Sequence, residues 1–167
     1  ILRMDDVPRG AFPKGGCWER LLTILDHRAG EYWLQLDSDT VTLGPVPELE
    51  RAIASNRSFT LLGGADAPTQ PLPLPQFAAH YYPDGPAEGH VQTRIESRLA
   101  AIDPAGRWKY IRGCAGFAGF AAGNGGRDLA AAFLARMADG IGGEDTAIWG
   151  TEQVASNFLI ANEDDLK

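Results

Sequence analysis

Tyr32-Trp33-Leu34-Gln35-Leu36-Asp37-Ser38-Asp39-Thr40-Val41 decides how the rest of the chain is read. Its first five residues form a short, nearly continuous apolar run, the pattern of a buried strand in a parallel or mixed sheet, and the run stops abruptly at two aspartates. A strand that ends this way puts both carboxylates at its carboxyl end, where open α/β sheets bind their ligands. Asp37 and Asp39 are two residues apart, so a turn aims both at one cation, and an extended chain puts both side chains on one face. Two hard oxygen donors at one point suit Mg²⁺ or Mn²⁺, which take further oxygens from water and from a bound diphosphate. The triplet alone carries little weight, because with 13 Asp in 167 residues chance supplies about one Asp-x-Asp. A solvated turn, with Ser38 and Thr40 bonding the local backbone, is the competing reading.

Upstream, the Gly15-Gly16 pair opens a segment whose Trp18, Leu21, Leu22 and Leu25 follow helical spacing, which predicts an amphipathic helix ending near Gly30. Downstream, Pro45 and Pro47 set up a short helix through Glu48, Leu49, Ala52 and Ile53. Phe59-Thr60-Leu61-Leu62 reads as a strand closed by Gly63-Gly64. Residues 65–89 hold prolines at 68, 71, 73, 75, 83 and 86 and read as an irregular surface loop of the kind that serves as a lid. Val91, Ile95, Leu99 and Ile102 mark one face of a helix, and Trp108 to Ile111 a strand. Gly113 to Gly123 alternates small and aromatic residues without a decisive period. Asp128 to Met137 is a good helix former, and Thr151 to Ala161 a final helix, with Thr151 placed to cap it and Glu152 favoured in its first turn. Strands interspersed with helices predict α/β architecture in a single domain spanning 1–167.

The 44% hydrophobic content and 22% charge fit a globular domain with a real core rather than a disordered chain. A net charge of -7 argues against a nucleic-acid partner, since that affinity rests on Lys and Arg neutralising phosphates. The most apolar stretch, Cys114 to Ala122, is far short of the roughly 20 residues of a membrane helix, so no transmembrane segment is expected. Cys17 and Cys114 have no metal-ligand spacing and read as buried free thiols of a reducing, cytoplasmic compartment, with one long-range disulfide as the alternative. Trp18, Trp33, Trp108 and Trp149 are most economically core residues. His80-Tyr81-Tyr82 could stack on a sugar or base or pin the proline-rich segment to the body. Lys109 and Arg112 are phosphate-contact candidates, one of which is expected to face solvent, and the isolated His27 and His90 have no zinc spacing. The Ala- and Gly-rich composition suggests a bacterial source.

The segment from Tyr32 to Val41 resembles the acidic motif of the GT-A glycosyltransferases, in which a hydrophobic strand ends in Asp-x-Asp. The helix around Trp18 to Leu22 resembles the one preceding that strand in glycogenin-like and lipopolysaccharide glycosyltransferases, and Pro45-Val46-Pro47-Glu48-Leu49 resembles the segment that follows it. Arg112 to Phe117 is similar to the small-residue segment that lines the donor-sugar pocket, with Gly113 or Cys114 standing where the family often carries Asn. Glu152-Gln153 resembles an acidic-residue-plus-Gln pair that lies beside the reacting sugar. The likeness runs from about Gly15 to Asn162.

This resemblance implies a GT-A-like mixed sheet flanked by helices. It implies transfer of a sugar from a nucleoside-diphosphate donor to a saccharide, lipid or protein acceptor, with Mn²⁺ or Mg²⁺. Asp37 and Asp39 would hold the metal. Ser38, Gly113, Cys114, Ala115, Gly116 and Gln153 would lie at the donor, and Glu152 would serve as base or acceptor-binding carboxylate. The family's first strands and its late metal-ligating His have no counterpart, so the chain is expected to be a fragment, incomplete at the N-terminus and at the C-terminus.

Two other readings start from the same residues. An apolar strand running into Asp-x-Asp also looks like a haloacid-dehalogenase-type phosphatase, with Asp37 as nucleophile, Asp39 as general acid and Glu163-Asp164-Asp165 contributing to a metal. A helix precedes the strand here, and no Lys lies between Lys109 and Lys167, which both weigh against it. The third is a non-catalytic GT-A-like module that keeps the acidic pair.

Overall fold

The computed structural model describes residues 3–62, 64 and 67–163. Gly63, read above as part of a strand's close, and Asp164 and Asp165, read as part of an acidic cluster, lie outside the described residues.

Helix α1, Trp18–His27, forms as its spacing predicts and buries Trp18, Leu21, Leu22, Ile24 and Leu25. Strand β1, Trp33–Leu36, follows it. Next come α2, Pro47–Ala54, with its proline in the first turn where no N–H is needed, and β2, Phe59–Leu62. A two-residue strand β3, Leu72–Pro73, leads into α3, Leu74–Tyr81. The proline-rich segment is therefore not irregular throughout. Pro75 lies in the first turn of α3, the one part of a helix that accepts proline, and Leu74, Phe77 and Ala78 are buried.

The single helix expected over Val91 to Ile102 is broken at Ser97-Arg98 into α4, Val91–Glu96, and α5, Leu99–Ile102, although all four apolar markers are buried. Strand β4, Lys109–Tyr110, pairs with β3, with Leu72 opposite Tyr110. The segment without a decisive period becomes β5, Gly113–Phe120. Helices α6, Arg127–Ile141, and α7, Thr151–Ala161, complete the fold, with a 3₁₀ turn at Glu144–Ala147 between them. Thr151 does not cap α7: Gly150 holds the cap position and the Thr151 hydroxyl turns to the Thr146 carbonyl (2.7 Å).

The architecture is mixed α/β, but the parallel or mixed sheet expected from β1 is corrected. Among the described residues every ladder is antiparallel, and the main sheet has the order β1-β5-β2. β1 lies at its edge, and its one buried residue is Gln35, while Leu36 is half exposed. The apolar Trp33, Leu34 and Leu36 line an open groove of about 640 Å³ together with Met4, Val7 and Ile24.

α7 packs across β5 and against α4 and α6, and the rings of Phe133 and Phe158 stack 3.9 Å apart between α6 and α7. No described helix is long and apolar enough to cross a membrane.

β5 owes its composition to its neighbours. A Cβ at Gly113 would collide with the Thr60 side chain and come within 2.7 Å of the Leu61 carbonyl oxygen. One at Gly119 would lie 2.6 Å from Phe59 Cδ1. Gly113→Ala is accordingly expected to lower stability by about 1–3 kcal/mol through overpacking, read as a drop in the urea midpoint with an unchanged slope.

Candidate functional site

Four elements converge on one small pocket of about 120 Å³, lined among others by Arg20, Asp37, Gly116, Glu152 and Gln153. α1 supplies Arg20 from its first turn. Asp37 follows the last residue of β1, and its main chain extends the ladder, donating from N to the Gly116 carbonyl (2.9 Å). A Cβ at residue 116 would lie 2.7 Å from Asp37 Oδ2, so the glycine makes room for the carboxylate. The chain then turns, with Thr40 N donating to the Asp37 carbonyl (3.0 Å), which leaves Ser38 and Asp39 exposed beyond the pocket wall.

Glu152 enters from the first turn of α7 and is 3% exposed. It is not the solvated helix-start carboxylate that its position would ordinarily give. Gln35 Nε2 donates to its Oε1 (3.3 Å), and Arg20 Nη2 lies 3.6 Å from its Oε2. Arg20 also donates to Asp37 Oδ1, so one guanidinium bridges the two carboxylates. Burial pushes the Glu152 carboxyl up to about 7, against the lowering effects of Arg20 and the Gln35 hydrogen bond, with the Asp37 charge adding to the rise. For Arg20, burial opposes the charge, but the attraction of Glu152 and the Asp37 contact outweigh it and raise its pKa. A buried carboxyl that titrates near neutrality beside a second carboxylate can exchange a proton with a ligand, the property expected of a general base.

Gln153 faces the same pocket and joins it to a second one. Its Oε1 accepts from Ala115 N (3.3 Å) and its Nε2 donates to Gln92 Oε1 (2.9 Å). The second pocket, about 400 Å³, is lined by Tyr82, Gln92, Thr93, Glu96, Arg112, Gly113, Cys114 and Gln153. At its floor the fully buried Glu96 accepts from Tyr82 Oη, Gln92 Nε2 and Tyr110 Oη (2.9 Å each) and is ion-paired with Arg112, whose guanidinium stacks 4.1 Å from the Tyr81 ring centroid. Burial first, and then the Glu96 charge, raises the Tyr82 phenol to about 12 and Tyr110 well above its ordinary value, so both remain donors.

Of the residues singled out from the sequence, Asp37, Gly116, Glu152 and Gln153 meet at the first pocket. Gly113 and Cys114 line the second, and Ala115 is buried between them, holding Gln35 through its carbonyl (2.6 Å). Ser38 and Asp39 stand apart in the turn. Two expectations are corrected. Cys114 is free but exposed rather than buried, because β5 turns it outward into the second pocket, and Cys17 is free and half-buried. Trp149 is exposed, because it sits in the loop before α7. Of the two phosphate-contact candidates, one of which was expected to face solvent, Lys109 is exposed and Arg112 is ion-paired with Glu96. Tyr81 and Tyr82 pin the end of α3 to the body.

Arg20, Gln35, Gln92 and Glu96 were missed from the sequence. Gln35 carried the clearest signal, as a polar residue inside an apolar strand whose burial requires a polar partner.

No family model, curated protein or solved structure matches this chain.

Proposed function

We propose that this chain carries the catalytic core of a nucleotide-sugar-dependent glycosyltransferase on a GT-A-like scaffold. The observation that carries the reading is the convergence of Asp37, Gly116, Glu152 and Gln153 on one pocket, with Glu152 buried and titrating near 7. These are the positions at which the sequence resembles the family's acidic motif, donor segment and acidic-residue-plus-Gln pair.

Asp37 is paired with Arg20 and Asp39 is exposed in the turn beyond the pocket, so a hard divalent cation would have to arrive with its substrate and draw Asp37 away from the guanidinium. Mg²⁺ is commonly held by one or two carboxylates plus phosphate oxygens and water, and Asp37 and Asp39 offer two such carboxylates. Among the described residues no group of three or more His, Cys, Asp or Glu is clustered to hold an ion unaided. When bound, the cation would offset the charge that develops on the departing nucleoside diphosphate.

The single charge of Arg20 lies between Asp37 and Glu152 in the free protein and holds both carboxyl groups at the pocket. Glu152, once ionised, takes the proton from the acceptor hydroxyl as its oxygen bonds to the anomeric carbon. The bond from that carbon to the diphosphate breaks, and its electron pair leaves on phosphate oxygen. Gln153 holds a sugar hydroxyl, with its amide oriented by Ala115 and Gln92.

Calorimetric titration with UDP, GDP and their sugars, with and without Mn²⁺, tests the reading. One nucleotide is expected to bind only with the metal, and Asp39→Asn to weaken it by about 10- to 100-fold, the worth of one charge-assisted contact. Binding of no nucleotide would overturn the proposal. Hydrolysis of a phosphate ester through a phospho-intermediate on Asp37 would establish the phosphatase instead.

A further inference from the structure

Trp149 is 68% exposed, whereas Trp18 is fully buried and Trp33 and Trp108 pack against the core. An indole left in water forgoes roughly 2 kcal/mol of burial. It lines the same pocket as Glu152 and Gln153, three and four residues further along the chain.

Its mount is rigid. The Thr151 hydroxyl donates to the Thr146 carbonyl and accepts from the buried Trp18 Nε1 (3.1 Å), which ties the loop to the core. Gly150 turns the chain at φ +103, and a Cβ there would press within 3.0 Å of His90 Cε1. The His90 ring meets the indole edge-on, with centroids 6.0 Å apart and planes at 82°.

We propose that Trp149 is the platform on which a pyranose ring of the acceptor stacks, with the hydroxyls of that ring reaching Glu152 and Gln153. The inference deepens the transferase reading and rests on it. A pyranose presents a patch of C–H bonds on one face and hydroxyls around its rim. Here a flat apolar surface adjoins a small pocket whose carboxylate, amide and guanidinium groups suit hydroxyls. Gly150 and His90 act as positioning residues for the indole.

The test uses the methyl glycosides of glucose, galactose, mannose and N-acetylglucosamine as probes, followed by saturation-transfer NMR and tryptophan fluorescence. At least one is expected to bind with a change in indole emission. Trp149→Ala should weaken that glycoside by about tenfold, while Trp149→Phe, which keeps an aromatic face, retains most of the affinity. Because the side chain is exposed, both variants should keep the urea midpoint of the unaltered protein, which separates a lost contact from a lost fold.

Binding of none of the four glycosides, or equal binding by Trp149→Ala, overturns the proposal. So does loss of UDP or GDP binding in Trp149→Ala, which would make the indole a nucleobase platform. If no nucleotide binds to the unaltered protein while glycoside binding still depends on Trp149, the transferase reading fails and the saccharide platform stands.

Discussion

At pH 8 the Glu152→Gln protein is expected to unfold at higher urea than the unaltered chain and, on the proposed transferase reading, to have lost sugar transfer. The Glu152 carboxyl titrates near 7 in the folded protein and near its ordinary 4.5 in the unfolded chain. Between those values the fold holds a proton that the unfolded chain has released. The stability this contributes is complete below about 4.5 and is lost as pH rises through about 7. The rise corresponds to about 3 kcal/mol between the two protonation states. Gln has nearly the same shape, still accepts from Gln35 and carries no charge at any pH. The stability difference between Glu152→Gln and the unaltered protein should therefore grow from pH 4.5 upward and level off above 7, at about 3 kcal/mol in the variant's favour. On the proposed transferase reading, the transfer rate of the unaltered protein should rise over the same interval as Glu152 ionises, and the variant should lack that limb. A residue whose replacement stabilises the fold and removes the reaction is one retained for chemistry at a cost in stability. Urea titrations at several pH values check the first half, and initial rates across the same range check the second.

The second large effect lies at Glu96. Replacing it with Ala removes the counter-charge of Arg112 and the acceptor of Tyr82, Tyr110 and Gln92 in one step. Breaking a buried pair from one side costs about 3–5 kcal/mol, because the remaining charge and donors are left without partners. Arg112 is about one-quarter exposed, which places the expected loss near the lower end of that range. Glu96→Gln keeps an acceptor and the volume and should cost less. Urea midpoints at neutral pH distinguish the two. Because Gln92 connects this network to Gln153, Glu96→Ala should also, on the proposed transferase reading, raise KM for the sugar donor in whatever fraction remains folded.

What the sequence revealed depended on whether a residue type carries a period. α1 was legible because Trp18, Leu21, Leu22 and Leu25 recur at helical spacing and are buried, α6 because its residues are good helix formers, and α7 from Glu152 in its first turn, although Thr151 does not cap it. β5 was not, because glycine and alanine have no apolar face to alternate, and the reason for them lies in Thr60, Phe59 and Asp37 across the ladder. α3 was hidden by its prolines, which mark loops unless they fall in a first turn. Strand β1 was placed correctly and its environment was not: an apolar run does not reveal whether its neighbours are parallel, and here its apolar residues face a groove while Gln35 points inward. Asp37 and Glu152 lie far apart in sequence, and only the family resemblance connected them. Arg20, which links them physically, sat unremarked in the helix that the resemblance had already picked out. Trp149 was assigned to the core on hydrophobicity, a property that does not say whether a loop carries a ring inward or out.

The order β1-β5-β2 also dictates when the sheet can exist. β1 and β2 are only a short stretch apart in the chain, yet each pairs with β5 rather than with the other. Neither has a described strand to pair with until residues 113–120 arrive. Closing those long loops must precede any gain from the ladders, which places sheet formation late in folding, after the local turns of α1 and α2. On a ribosome, both edge strands would wait with unpaired backbone until the glycine-rich strand emerged to join them.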